Sequence, residues 1–191
     1  MTELRDRLPS GDVVGRAVLL PGVGYTPAKP VLAAVSEVLL ARGWAVREVW
    51  WRLPEGLSPR RAAAWVADQA AGAADGWAER PLIVAKSLGS LAAPYAAGHR
   101  LDAVWLTPLL GDRRVVRGLR RGDARQLIVG GTADGAWDRA VAARLPGELL
   151  ELPDADHSLV VRGDRERTAA YRDRLRAAVD AWLSGPRPGS A

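Results

Sequence analysis

The sequence predicts a single-domain α/β fold, with a mostly parallel sheet of about six strands and helices on both faces. Three observations carry the prediction. Short apolar runs alternate with longer stretches of helical periodicity along nearly the whole chain. Several of those runs are continuous in Val, Leu and Ile, as expected for parallel strands buried on both sides. The chain has 191 residues, 48% of them hydrophobic, enough for one domain around one core. Right-handed crossovers then set the strand-to-helix loops along the carboxyl edge of the sheet, where a site is to be sought.

The expected strands are Arg16–Leu20, Trp44–Trp50, Pro81–Ala85, Ala103–Leu106, Gln126–Val129 and Glu148–Leu152. The expected helices are Ala28–Arg42, Pro59–Trp77, Ser87–His99, Asp112–Arg121, Ala136–Arg144 and Arg165–Leu183. In the last, Tyr171, Leu175, Ala178 and Trp182 recur at helical spacing and form a core-facing stripe. Pro94 interrupts the helix expected after Ser87, because proline lacks the N–H that a helix interior needs. The domain is expected over residues 13–183, with a polar, loosely held N-terminus at 1–12 and a flexible tail at 184–191.

Composition excludes several kinds of chemistry. With no cysteine, the chain cannot form a disulfide, a thiolate zinc site or a thiol nucleophile. Glu3, Arg5, Asp6 and Arg7 leave no apolar core for a secretory signal near the start, and no apolar run is long enough for a membrane span. The expectation is a cytoplasmic protein without a membrane partner. The formal charge is +5, and basic residues are densest at Arg113, Arg114, Arg117, Arg120, Arg121 and Arg125. Asp112 and Asp123 interrupt that cluster, and no aromatic residue is interleaved for base stacking. Val115, Val116 and Leu119 supply an apolar side, so the pattern reads as a solvated helix face and no nucleic-acid partner is expected.

The most informative segment is 81–90, Pro-Leu-Ile-Val-Ala-Lys-Ser-Leu-Gly-Ser. A buried strand runs directly into Ser87, and a helical pattern with Leu88, Leu91, Ala92 and Tyr95 on one side begins after it. That is the context of a tight strand–turn–helix that lifts a serine hydroxyl above the sheet edge. Such a turn needs small neighbours, and Ala85 and Gly89 stand two residues before and after Ser87. A helix starting there aims N–H groups and partial positive charge at the hydroxyl, which makes the N–H of Leu88 a natural oxyanion donor. Taken alone, the segment is equally compatible with Ser87 as a simple helix cap.

Downstream residues decide between the two. The strand Gln126–Val129 ends in a Gly-rich turn carrying Asp134, and the strand Glu148–Leu152 leads to a loop carrying His157. The only other histidine, His99, lies at the far end of the helix expected after Ser87, about 18 Å away by helical rise. His157 is thus the credible base. Asp138, Asp154 and Asp156 compete with Asp134 for the acid. Asp138 is expected inside the following helix, and the other two are expected to shape the histidine loop by local hydrogen bonds.

Segments 85–90, 130–138 and 153–159 resemble the nucleophile, acid and histidine motifs of the α/β-hydrolase superfamily, in that family's order of Ser, Asp, His. The resemblance runs from about Ala17 to the last helix and is greatest to short members that lack the first antiparallel strands and any lid. It implies a serine hydrolase with Ser87 as nucleophile, His157 as base and Asp134 as orienting acid, acting on a small ester or thioester without a metal or organic cofactor. It also implies that the loop Pro21-Gly22-Val23-Gly24-Tyr25 donates a second oxyanion N–H. Val23 is the candidate, with Gly24 and Tyr25 as alternatives. That loop lacks the third glycine of a dinucleotide pattern and the Lys-Ser/Thr of a P-loop, so a nucleotide site is disfavoured.

Other residues near these loops have two readings each. Lys86 could bind an anionic substrate group, although a solvated or snorkelling lysine is the plainer expectation. Trp50, Trp51, Trp105 and Trp137 fall near carboxyl ends of strands, where packing and substrate contact are both open. Tyr25, Lys86 and Trp137 are the candidate substrate-binding residues. The alternative in another class is a non-catalytic hydrolase-fold module that binds a partner.

Overall fold

The computed structural model describes residues 2–186. Among these residues, seven strands form one sheet in the order β1-β3-β2-β4-β5-β6-β7. In chain order the elements are β1 (Thr2–Arg7), β2 (Gly15–Leu20), α1 (Pro30–Ala41), β3 (Trp44–Trp51), α2 (Pro59–Ala74) and β4 (Leu82–Lys86). A 3-10 turn at Ser87–Ala92 leads into α3 (Ala93–His99). Then follow β5 (Ala103–Leu106), α4 (Arg113–Arg121), β6 (Gln126–Gly131), α5 (Arg139–Ala142), β7 (Glu148–Leu152) and α6 (Arg165–Ser184). Strands β2 to β7 pair in parallel, and β1 alone is antiparallel, to β3.

Period-two alternation distributes the strands' side chains between two cores. Ala17, Leu19, Leu82, Val84, Val104 and Val129 meet Leu32, Val35 and Leu39 of α1 and Leu175, Val179 and Trp182 of α6. Val18, Leu20, Ile83, Ala85, Trp105 and Ile128 face Val66 and Ala70 of α2, Ala93 and Ala96 of α3, and Val115 and Leu119 of α4. The sheet is therefore covered on both faces, and all five residues of β4 are buried.

The N-terminal residues expected to be loose instead form β1, which raises the strand count from about six to seven and supplies an antiparallel strand that the short-hydrolase resemblance did not imply. Its sequence is polar because it is an edge strand, exposed along most of its length. Backbone pairing to β3 holds it, helped by a cross-strand ion pair between Asp6 and Arg47, which stand directly opposite each other. Ser184, expected to open the tail, is the last residue of α6, and residues 187–191 of that tail lie outside the described residues.

The expected helix Ser87–His99 is two pieces. Pro94 falls in the first turn of α3, where its missing N–H costs no helical bond. The expected helix Ala136–Arg144 shortens to the single turn of α5, because Asp138 caps it, its Oδ1 accepting from the N–H of Val141. On α4, Val115 and Leu119 are buried while Arg113, Arg117, Arg120 and Arg121 are exposed, as the amphipathic pattern predicts. No helix among the described residues is long and apolar enough to cross a membrane.

Candidate active site

The turn after β4 is built by close backbone approach. Ser87 has φ +52°, in the left-handed region that side chains disfavour. A Cβ on Gly89 would lie 2.5 Å from the main-chain oxygen of Leu20, so a glycine lets the turn pack onto the end of β2. A Cβ on Gly22 would lie 3.0 Å from the Cβ of Ser87, which puts the β2–α1 loop against the serine. The turn is locked from beneath: Ser90 Oγ donates to the Ser87 carbonyl at 2.6 Å and accepts from the N–H of Leu109 at 3.1 Å.

Two further loops converge on this turn. Asp134 follows β6, with its side chain almost wholly buried. Its Oδ1 accepts from the N–H of Ala136 at 2.8 Å, and its Oδ2 lies 2.8 Å from Nδ1 of His157. His157 Nε2 lies 2.8 Å from Ser87 Oγ. An ionised carboxylate can only accept, so Nδ1 carries the ring proton and Nε2 accepts the hydrogen of Ser87 Oγ. Ser87, His157 and Asp134, named from the sequence as a set, are thus brought into one hydrogen-bonded line.

The histidine loop is a structured turn. Asp156 Oδ1 accepts from the N–H groups of Ser158 and Val160, and Asp154 forms an ion pair with Arg167. Asp156 shapes the loop by local hydrogen bonds, as expected, whereas the Asp154 side chain is instead tied to α6 through Arg167. The expectation that Asp138 lies inside a helix is corrected, since it is the cap of α5. Its Oδ1 is engaged there, and it makes no contact with the histidine. Gly131 allows the loop to close on β6, because a Cβ there would lie 2.1 Å from the Ala155 carbonyl oxygen.

Of the candidate oxyanion donors, Leu88 follows Ser87 in the chain, and Val23 follows Gly22, the residue that abuts the serine. Leu88 is the second residue of the 3-10 turn, so its N–H has no helical partner. Val23 follows Gly22 and is 65% exposed, and the N–H of Tyr25 is turned back onto the Gly22 carbonyl at 3.3 Å. Tyr25 is therefore occupied in shaping the loop, and its hydroxyl accepts from the N–H of Val31. Trp137 lies over Gly130 of β6, and its Nε1 donates to Glu151 at 3.1 Å. Trp105 is buried, with Nε1 donating to Gln126 Oε1. Trp50 donates to Glu48 beneath the guanidinium of Arg5, and Trp51 packs on Trp65.

Lys86 departs from the plainer expectation. It is only 2% exposed, neither solvated nor snorkelling, and its Nζ donates to the main-chain oxygen of His157 at 2.9 Å and to Thr107 Oγ1 at 3.1 Å. Burial pushes its pKa down to about 8, against the pull of Asp134 and Asp156. Thr107, a partner in this arrangement, directly follows β5 in the Thr107-Pro108-Leu109 segment, which the sequence offers as pocket lining and not as a partner of Lys86. It is fully buried, with φ +44°. A usable signal existed: Lys86 continues the inward register of Leu82 and Val84 on a strand covered on both faces, where a lysine cannot reach water.

No protein-family model matches the sequence, and no curated protein matches it. Solved structures do match. Est1E from Butyrivibrio proteoclasticus, determined with bound ferulic acid, superposes with a TM-score of 0.73 at 13% identity, covering 96% of each chain. A monoacylglycerol lipase from Paleococcus ferrophilus gives 0.71 at 15% identity, covering 94% of this chain and 99% of that one. XC6422 from Xanthomonas campestris, described as a serine hydrolase without a lid, gives 0.62 at 18% identity, with coverage of 97% and 91%. The chain thus has the α/β-hydrolase fold, in a short form.

Proposed function

We propose that this protein is a serine hydrolase that cleaves a small ester or thioester through an acyl-enzyme on Ser87. The observation that carries the reading is the pair of 2.8 Å contacts running from Ser87 Oγ through the imidazole of His157 to Asp134 Oδ2. A serine hydroxyl is a weak nucleophile at neutral pH. His157 Nε2 takes its proton as Oγ adds to the substrate carbonyl, then returns that proton to the departing alcohol or thiol. Asp134 holds the ring in the tautomer that leaves Nε2 free to accept and stabilises the imidazolium once it forms. The N–H groups of Leu88 and Val23 receive the developing oxyanion, each such donor being worth about 3 kcal/mol of barrier. Water then attacks the acyl group with the same base.

The fold shared with Est1E and a monoacylglycerol lipase supports acyl-ester chemistry. Tyr25 serves this reading through the β2–α1 loop, its ring standing against the Lys86 ammonium, whereas Trp137 is engaged with Gly130 and Glu151.

The test is intact mass after treatment with a fluorophosphonate, for the wild type, Ser87→Ala and His157→Ala. A single adduct on the wild type and none on either variant is expected. A folded wild type that takes no adduct would refute the reading and favour a non-catalytic binding module.

A further inference from the structure

We infer that Lys86 is a positioning residue for the proposed hydrolysis: by gripping the main-chain carbonyl of His157 from the residue next to the nucleophile, it holds the imidazole at hydrogen-bonding distance from Ser87 Oγ. The inference rests on the serine-hydrolase reading of this site.

The geometry is a two-point hold. Ser87 meets the ring of His157 at Nε2, and Lys86 meets the backbone of the same residue at its carbonyl oxygen. Because Lys86 and Ser87 are covalent neighbours, the end of β4 determines where both the nucleophile and its base sit. The Lys86 ammonium also touches two other loops at this edge. It donates to Thr107 after β5, and it sits 4.8 Å from the ring centre of Tyr25 in the β2–α1 loop. Four loops that must keep register with one another therefore meet at one nitrogen.

Packing alone does not account for a lysine here. Lys86 makes no ion pair with a carboxylate among the described residues; its partners are a carbonyl, a hydroxyl and an aromatic face. A buried ammonium without a carboxylate partner is costly, and a methionine would fill the same space without that cost. What methionine lacks is the grip on the His157 carbonyl. The charged groups that bear on Lys86 come from every side: Asp134 after β6 and Asp156 in the histidine loop favour its charge, and Lys29 ahead of α1 opposes it. Tyr25 has its own ionisation pushed up by burial, so it stays neutral across the working range.

The experiment compares wild type and Lys86→Met as full-length chains, measuring the rate of fluorophosphonate labelling and the steady-state hydrolysis of p-nitrophenyl acetate. A loosened histidine should lower kcat and the labelling rate by roughly 10–100-fold, the size of effect that a misplacement near 1 Å produces. KM should stay within about 2-fold, since no substrate contact is removed. The wild-type rate should fall as pH rises through about 8, where the amine loses its charge and its hold on the carbonyl weakens, and Lys86→Met should lack that limb. A residue that only supported the fold would lower rate and unfolding midpoint together, whereas here the midpoint at neutral pH should not fall.

A variant that labels at the wild-type rate would overturn the inference while leaving the serine-hydrolase reading intact. A wild type that takes no label would overturn both. Should Lys86→Met not fold, Lys86→Gln takes its place, with the same fall in labelling rate expected and a wild-type labelling rate overturning the positioning role.

Discussion

Replacing Lys86 by methionine should make stability less dependent on pH, and the magnitude follows from where the lysine sits. Its folded pKa is near 8 because burial penalises the charged form, against an ordinary value of 10.5 in the unfolded chain. Between those values the unfolded state binds the proton and the folded state does not, so stability rises with pH across that window. The penalty for keeping the ammonium buried is fully present below pH 8 and gone above 10.5. At about 1.4 kcal/mol per pH unit the whole window corresponds to about 3 kcal/mol. Between pH 7 and 9.5 the wild type should gain about 2 kcal/mol relative to Lys86→Met. Urea unfolding of both proteins at the two pH values measures this directly, because every other titrating group cancels in the double difference. Losing the bonds to the His157 carbonyl and Thr107 Oγ1 costs the variant about 1 kcal/mol each at pH 7, and their weakening as the amine loses its charge is already contained in the shifted pKa. A gap between the proteins that does not change with pH would refute the claim that this lysine is held buried.

Three further outcomes follow from the same geometry. Ser87→Gly should unfold at higher urea than Ser87→Ala, by about 1 kcal/mol, because glycine accepts φ +52° without the steric penalty alanine meets; equal midpoints would mean that the turn is unstrained. Gly89→Ala should cost roughly 1–3 kcal/mol in unfolding free energy and slow serine labelling, since its Cβ is driven toward the Leu20 carbonyl oxygen and the turn must lift off β2. Asp134→Asn should leave the fold intact but lower kcat by a factor on the order of 10⁴, as the amide no longer holds the required tautomer of His157; a loss of only a few-fold would reassign the acid.

Much of this architecture was legible because it depends on local pattern. The continuous apolar runs of β4 and β6 announce strands covered on both faces, and the loops carrying Ser87, Asp134 and His157 follow such strands directly. Where reading of the N-terminus failed, the stabilising partner was distant in sequence. Thr2–Arg7 has no strand signature of its own, because its order comes from the unpaired edge of β3 and from Arg47 opposite Asp6. The helix expected from Ala136 was cut short by Asp138, whose side chain can cap a helix as readily as sit near one.

The amino-acid sequence by itself determined the α/β class, the succession of parallel strands and the choice of the three candidate site residues. Each of these depends on periodicity, turn chemistry or the scarcity of a residue type, and two histidines leave little choice of base. Tertiary structure alone decided the distances that make the three residues a set, the close approaches that require Gly22, Gly89 and Gly131, and the fate of Lys86. A lysine beside a serine is ordinarily free to extend into water. Here the last inward position of a covered strand, closed over by Tyr25, Thr107 and the His157 loop, leaves its ammonium only protein atoms to bond, and no local pattern encodes which loops will close over it.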